Sequence, residues 1–514
     1  MTFWKRSLLN LFSASLGQLM MIAIGFLLPR LFITNFGSEV NGLLSSANQI
    51  LVYLAIFEAG VGGVTLQALY GPVSRKAWGT INGILSATNI YYKKASVMYL
   101  ATLAAVAVVY PFVVSVALPP LTVSLVIFFV GLPQVVSFFV HAKYILLLRA
   151  DGKNFVLTAL ITLVSVTAGL AKVFLLLRGM QVLPVIIIQC MIQLAQAVYI
   201  THYVKKRYPE VSVDSTPDYK AISQKNYMLV HQLGGLVYHN TDIMVLTMVA
   251  GLKVVSVYSI YKLVMSQFGN MLYNLQNSVD FVLGQTYQRD KSRYRRRIDQ
   301  FEAWFSALAF SLYAVIYFLM FSFVKLYTYG VEDAVYADHL LVILFVVIEL
   351  LSVMRQSMQQ TINYAGHFKN TMPQTLIETG IKLVLSIAGV YLFGIYGVLA
   401  ATIVSQLYRV NDVIFYANKR LLHRSAKRTY AIHAVNVLLF LLAQIIFTFA
   451  FSEVYSWWGF LKTGVLACMI SLPLYFIVQT SIWSETRVTF WYYLMNSPKI
   501  VRSLLRRTPK KPTA

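Results

Sequence analysis

The chain has 514 residues, of which 58% are hydrophobic and only 12% charged, with a formal charge of +24 and a mean hydropathy of +0.66. A soluble globular domain is about 45–50% apolar and about 25% charged, so a soluble enzyme and a disordered chain are both excluded. The apolar stretches are continuous rather than alternating, which excludes a β-barrel and leaves an all-α polytopic membrane protein.

A crossing helix needs about 20 apolar residues. Fourteen such segments are expected near 8–32, 43–70, 95–117, 121–147, 155–177, 182–203, 227–250, 254–280, 300–324, 338–364, 372–394, 398–418, 430–452 and 461–483. Lys5-Arg6 open the first, and its apolar run to Phe32 exceeds the roughly 7–15 residues of a signal-peptide core, so an uncleaved span is expected. Only Val204–Asn226 and the tail Ser484–Ala514 are long enough to be more than loops.

Charge sets the orientation. Of the 43 Lys and Arg, 32 fall at the termini and in alternate loops, four (Arg178, Lys253, Lys325, Lys462) in the opposite loops, and seven within spans. Positive residues collect on the cytoplasmic side, so both termini are expected inside. The run Arg289–Arg297 reads as topology plus attraction to anionic lipid. The tail carries Phe490-Trp491-Tyr492-Tyr493 and then Ile500, Val501, Leu504 and Leu505 among basic residues. That helical spacing suits a helix lying on the inner surface.

Three weak matches recur at nearly one offset. Phe36-Gly37-Ser38-Glu39-Val40 resembles Ala250-Gly251-Leu252-Lys253-Val254 at 214 residues, Ala150–Asn154 resembles Phe368-Lys369-Asn370 at 216, and Tyr203–Arg207 resembles Tyr416–Arg420 at 213. They suggest duplicated six-span lobes related by an axis along the membrane normal, a transporter architecture with a central cavity. The expected organisation is an N-lobe over 1–203, a cytoplasmic linker over 204–226, a C-lobe over 227–418, two further helices over 419–483 and a basic amphipathic tail over 484–514.

No phosphate-binding loop, dinucleotide fingerprint, zinc-protease motif or paired CxxC occurs. Cys190 and Cys468 fall inside spans and read as packing residues. His231 and His239 share a helical face in the seventh span, but their eight-residue spacing does not suit a metal site. No enzyme activity, metal or cofactor is expected.

Chemistry therefore rests on charge inside the bilayer, which costs about 2.5–3.5 kcal/mol per residue on insertion scales. The embedded cations are Arg30, Lys143, Lys172, Lys262, Arg355, Lys382 and Arg409; the acids are Glu58, Asp242, Asp280, Glu349, Glu378 and Asp412. Glu378/Lys382 and Arg409/Asp412 have spacings that allow pairing along one helix. Lys143 lies near a span end and can snorkel to headgroups. Arg30, Lys172 and Lys262 have no acid within a turn of their own helix, and Glu58 could pair with Arg30 across the first two helices. The first lobe holds three cations against one acid and the second four against five, a balance suited to phosphate or pyrophosphate, which Arg grips bidentately and Lys as a point charge. Acids of the second lobe are candidates for coupling to H+ or Na+. Pro29 and Pro133 bend their helices, and both a gate and a static kink fit.

Pro29-Arg30, Phe36-Gly37, Asn41-Gly42 and the span end Phe57-Glu58-Ala59-Gly60 resemble the opening of polysaccharide-biosynthesis flippases. These are the Wzx-type members of the multidrug/oligosaccharidyl-lipid/polysaccharide exporter superfamily. The resemblance implies fourteen helices working by alternating access to turn an undecaprenyl-pyrophosphate-linked oligosaccharide across a bacterial plasma membrane. It places a basic residue, here Arg30, in the cavity; Lys172, Lys262, Arg355, Lys382 and Arg409 are added by the span reading. Partners would be lipid-linked saccharide, anionic membrane lipid and polysaccharide assembly enzymes, not nucleic acid. An ion-coupled exporter of cationic drugs, using Glu58, Glu349 and Glu378, is the alternative within the same superfamily.

Overall fold

The computed structural model describes residues 3–54, 58, 61–222, 240–452 and 454–483, with backbone alone at 3–19. Among the described residues the secondary structure is helical, without a strand. The helices are α1 (Phe3–Phe36), α2 (Ser38–Leu54), α3 (Val61–Ser74), α4 (Trp78–Val113), α5 (Pro120–Val136), α6 (Ala142–Ala150), α7 (Asn154–Leu177) and α8 (Val182–Arg207). They continue with α9 (Asn240–Val249), α10 (Leu252–Arg289), α11 (Lys291–Tyr327), α12 (His339–Ala365), α13 (Phe368–Phe393), α14 (Ile395–Tyr416), α15 (Lys427–Ala450) and α16 (Trp457–Ile482).

Ten described helical stretches are long and apolar enough to cross a membrane. Large apolar side chains such as Phe112, Leu163, Leu392 and Phe449 are exposed along them, as lipid contact requires. The chain is an all-α, multi-pass membrane protein. The segment expected as one span over 43–70 is two helices, α2 and α3, with Glu58 in a turn whose carbonyl accepts from the Val61 amide. Helices α5 and α6 join through a π-helical turn, Ser137–His141, four residues after Pro133. Most of the seventh span, His231, His239 and the tail lie outside the described residues.

The chain groups into two compact units. The first comprises Met1–Val264, Tyr327–Tyr336 and Thr379–Ala401; the second comprises Met265–Leu326, Ala337–Glu378 and Thr402–Ala514. Leu43, Leu85, Tyr92, Tyr99 and Phe138 lie in the core of the first, and Tyr294, Met358, Ile362, Val413 and Ala417 in that of the second.

Helix ends repay local reading. Asp338 caps α12 by accepting from the Leu340 and Leu341 amides at 2.6 and 3.1 Å. Asp290 does the same for α11, accepting from the Ser292 and Arg293 amides at 3.0 and 2.9 Å. Three pairs of left-handed glycines stand at breaks: Gly37 and Gly251 are 214 residues apart, Gly152 and Gly366 214, and Gly179 and Gly394 215. A side chain at these φ values is strained, so the break sites recur at one spacing. The segment expected as a linker is docked where it is described: its Asp218 amide donates to the Gly83 carbonyl at 3.0 Å, and Ile222 is buried.

Candidate functional site

In the first unit, Pro29 interrupts the hydrogen-bond ladder of α1 and Arg30 follows it. The Arg30 amide donates to the Tyr327 hydroxyl at 3.1 Å, and that hydroxyl donates to the Phe26 carbonyl. The half-buried Arg30 guanidinium donates to the Tyr327 carbonyl. The Tyr327–Tyr336 segment is fixed in turn by Asp333, which accepts from the Ser38 amide and hydroxyl at 2.6 and 2.5 Å. Tyr336 completes this layer, 2.7 Å from Ser256, while Asn41 donates to Ser256 at 2.8 Å.

Deeper in the same unit, the buried Lys382 ammonium lies 3.1 Å from an Asp242 carboxylate oxygen. Asp242 also accepts from the Tyr258 hydroxyl at 2.9 Å. One turn along α10, the Lys262 ammonium stands 5.6 Å from the Tyr258 ring centre, within cation–π range. Lys172, half-buried on α7, lies one turn beyond Gly169. A Cβ at Gly169 would come within 2.5 Å of Ile24 on α1, so the two helices touch there. Among the described residues no hydrogen bond or ion pair takes up the Lys172 side chain.

Two expected placements are corrected here. Lys143 does not snorkel: it is buried, and donates to Asn89 at 2.7 Å. Glu58 accepts from Tyr92 at 3.1 Å and the Arg30 guanidinium donates to the Tyr327 carbonyl, so the Glu58–Arg30 pair that the sequence allowed is not formed among the described residues.

In the second unit, Glu378 draws two helices together. Arg355 on α12 reaches one of its oxygens at 2.8 Å, and Arg409 on α14 reaches the other at 3.4 Å. Arg409 also holds Asp412 at 2.6 Å, the expected pair along α14. The expected Glu378–Lys382 pair is not formed. Two guanidiniums from neighbouring helices satisfy Glu378, and Lys382 is taken by Asp242. Glu349 accepts from Tyr313 at 3.0 Å, and Asp280 from Tyr364 at 2.7 Å.

A further buried cluster escaped the sequence reading. Glu302, two residues into its expected span, is fully buried within 4.0 Å of Arg424 and His433. Asp299 beside it takes Arg424 and, at 3.6 Å, Arg428. The available signal was the Asp299/Glu302 spacing opposite the basic run Arg424–Arg428. Cys190 and Cys468 are free thiols, and Cys190 is buried.

Grouped by unit, the embedded charges differ in sign. The first unit holds Arg30, Lys143, Lys172, Lys262 and Lys382 against Glu58 and Asp242. The second holds Arg355 and Arg409 against Asp280, Glu302, Glu349, Glu378 and Asp412.

No family model matches the chain, and no curated protein matches it. Solved structures do. The lipid II flippase MurJ in its inward closed conformation is similar at a TM-score of 0.68 and 12% identity, over 90% of this chain and 98% of that one. A multidrug resistance MATE family transporter of the MOP superfamily, inward-facing, gives 0.63 and 12% over 80% and 94%. A MOP superfamily transporter from Pyrococcus furiosus, described as having reverse polarity of its binding pocket, gives 0.55 and 15% over 81% and 96%. The chain has the fold of MOP superfamily transporters and flippases, the superfamily its opening motifs resemble.

Proposed function

We propose that this protein is a non-enzymatic flippase for a lipid-linked saccharide carried on a polyprenyl pyrophosphate, in a bacterial plasma membrane with both termini cytoplasmic. The observation that carries this reading is the charge inventory of the first unit, five embedded cations against two embedded acids. Matching every acid there still leaves positive charge in a low-dielectric setting, where it is costly unless water or an anion meets it. A pyrophosphate supplies that anion, and the saccharide and lipid tail then divide between polar interior and bilayer. The likeness to a structure described as a lipid II flippase supports the same reading. Cytoplasmic basic loops would gather anionic lipid.

The acid excess of the second unit favours a second reading, export of cationic compounds, and it fits the likeness to MATE transporters. Native mass spectrometry of the mildly solubilised protein separates the two. A co-purifying polyprenyl-pyrophosphate saccharide, lost in Lys262→Ala, is the expected result. Phospholipid alone, with an added cationic dye bound instead, would replace this reading by the exporter.

A further inference from the structure

The first unit holds an open cavity of about 470 Å³ among α2, α4, α5 and α8. Seven of its lining side chains are polar and none is formally charged except by protonation of a histidine: Asn48, Tyr99, Gln134, Ser137, His141, Gln193 and Gln196. They come from four helices and the π-helical turn, so no local sequence pattern produces the convergence.

Ser137 and the Nε2 of His141 share a hydrogen bond at 3.4 Å; among the described residues the remaining side-chain hydrogen-bonding capacity is unused. Among the described residues, the hydroxyl of Tyr99, 0% exposed, has no partner, and neither has Nδ1 of His141, 4% exposed. Among the described residues no protein hydrogen bond takes up the side-chain amides of Asn48, Gln134, Gln193 and Gln196 either. A buried polar atom without a partner costs about 1–3 kcal/mol. Apolar residues of similar shape at Tyr99 and His141 would avoid that cost. The backbone is arranged to present the groups. Pro133 lies four residues before the π-helical turn that carries His141, a feature frequent at functional sites. The Tyr99 ring is held edge-on by Phe138 at 5.7 Å. Asn48 and Val52 are themselves exposed, so the cavity opens beside α2.

We propose that this cavity is a saccharide subsite, taking the uncharged sugar portion of the lipid-linked substrate while the cations of the unit attend to its pyrophosphate. The inference rests on the flippase reading above. Amides, a phenol and an imidazole offer paired donors and acceptors in fixed directions, which matches vicinal hydroxyls. An anion would find no cation among the lining residues, and an apolar ligand would leave the Tyr99 hydroxyl, the His141 Nδ1 and the four amides unmet.

The test uses the full chain in detergent and native mass spectrometry with four probes: undecaprenyl pyrophosphate bare, and carrying glucose, galactose or N-acetylglucosamine. The wild type should favour at least one sugar-bearing lipid over the bare carrier by tenfold or more. Tyr99→Phe, which removes one hydroxyl without changing shape, should lower that ratio by about three- to tenfold, and Gln193→Leu/Gln196→Leu should abolish it. Binding of the bare lipid should be unchanged in both, which also reports that the variants fold. Equal binding of bare and sugar-bearing lipids by the wild type, or an unaltered ratio in both variants, overturns the subsite and leaves the flippase reading standing. Failure of all four lipids to bind overturns the flippase reading, and the subsite with it.

Discussion

The hydroxyl of Tyr327 lies against α1 at two backbone groups one turn apart, accepting from the Arg30 amide and donating to the Phe26 carbonyl. The Arg30 contact stands one residue after Pro29, where the hydrogen-bond ladder is already interrupted. Tyr327→Phe should remove both hydrogen bonds and cost about 1–3 kcal/mol, read as a lowered thermal midpoint in detergent. A midpoint equal to wild type would show that neither hydrogen bond contributes to stability.

Lys382 and Asp242 form a buried pair in the same unit. Removing one member strands the other charge, at a typical cost of about 3–5 kcal/mol, whereas replacing both by apolar residues is often neutral. Asp242→Leu alone should therefore destabilise strongly, and Asp242→Leu/Lys382→Met should recover most of the loss. A thermal double-mutant cycle measures the coupling; additive single effects would contradict it.

How much of this was legible follows from where partners lie. The spans could be read because a crossing helix needs a long apolar run, and ten of the described helices have one. Arg409–Asp412 could be read because both residues are on one helix. Glu378 could not: its neighbour Lys382 is at the right spacing, but Arg355 and Arg409 arrive from other helices, and tertiary packing decides. Lys143 is the same case, since its partner Asn89 is 54 residues away. The turn at Glu58 was hidden by apolar residues on both sides. The polar cavity was half visible, as Gln193 and Gln196 stand one turn apart, but Asn48, Tyr99 and Gln134 come from elsewhere in the chain.

The loop after α6 is pinned to the end of α8 by charge. The Asp151 carboxylate lies 2.8 Å from the Lys153 ammonium and accepts from the Tyr208 hydroxyl. Partial burial alone would raise the Asp151 carboxyl; those two hydrogen bonds and the Lys153 and Arg207 charges instead hold it below its ordinary 3.8. Lys153, against the downward pull of burial, is held above its ordinary 10.5 by the hydrogen bonds to Asp151 and Tyr208 and by their charges. A depressed carboxyl contributes stability above its unfolded pKa and loses it as pH falls through the folded one; a raised ammonium does the reverse at alkaline pH. Asp151→Asn should thus lower stability at pH 7 by about 0.5–1 kcal/mol, the scale of an exposed pair. The difference from wild type should shrink as pH falls below the ordinary 3.8 and through the depressed folded pKa. Melting curves of the two proteins across pH test this, and a difference that persists undiminished in acid would refute the charge origin.

Lys172 offers the cleanest separation of folding from binding. No side chain among the described residues is orphaned when its charge is removed, so Lys172→Gln should fold with a thermal midpoint close to wild type. If its ammonium serves an anionic headgroup, Lys172→Gln should weaken binding of undecaprenyl pyrophosphate by about tenfold, the scale of one charge-assisted hydrogen bond. Lys172→Arg, which keeps the charge, should retain most of the affinity. Titration of the lipid into the three purified proteins decides. Unchanged affinity in Lys172→Gln would remove Lys172 from the anion-binding set, and equal losses in Lys172→Gln and Lys172→Arg would assign it a role set by side-chain shape rather than charge.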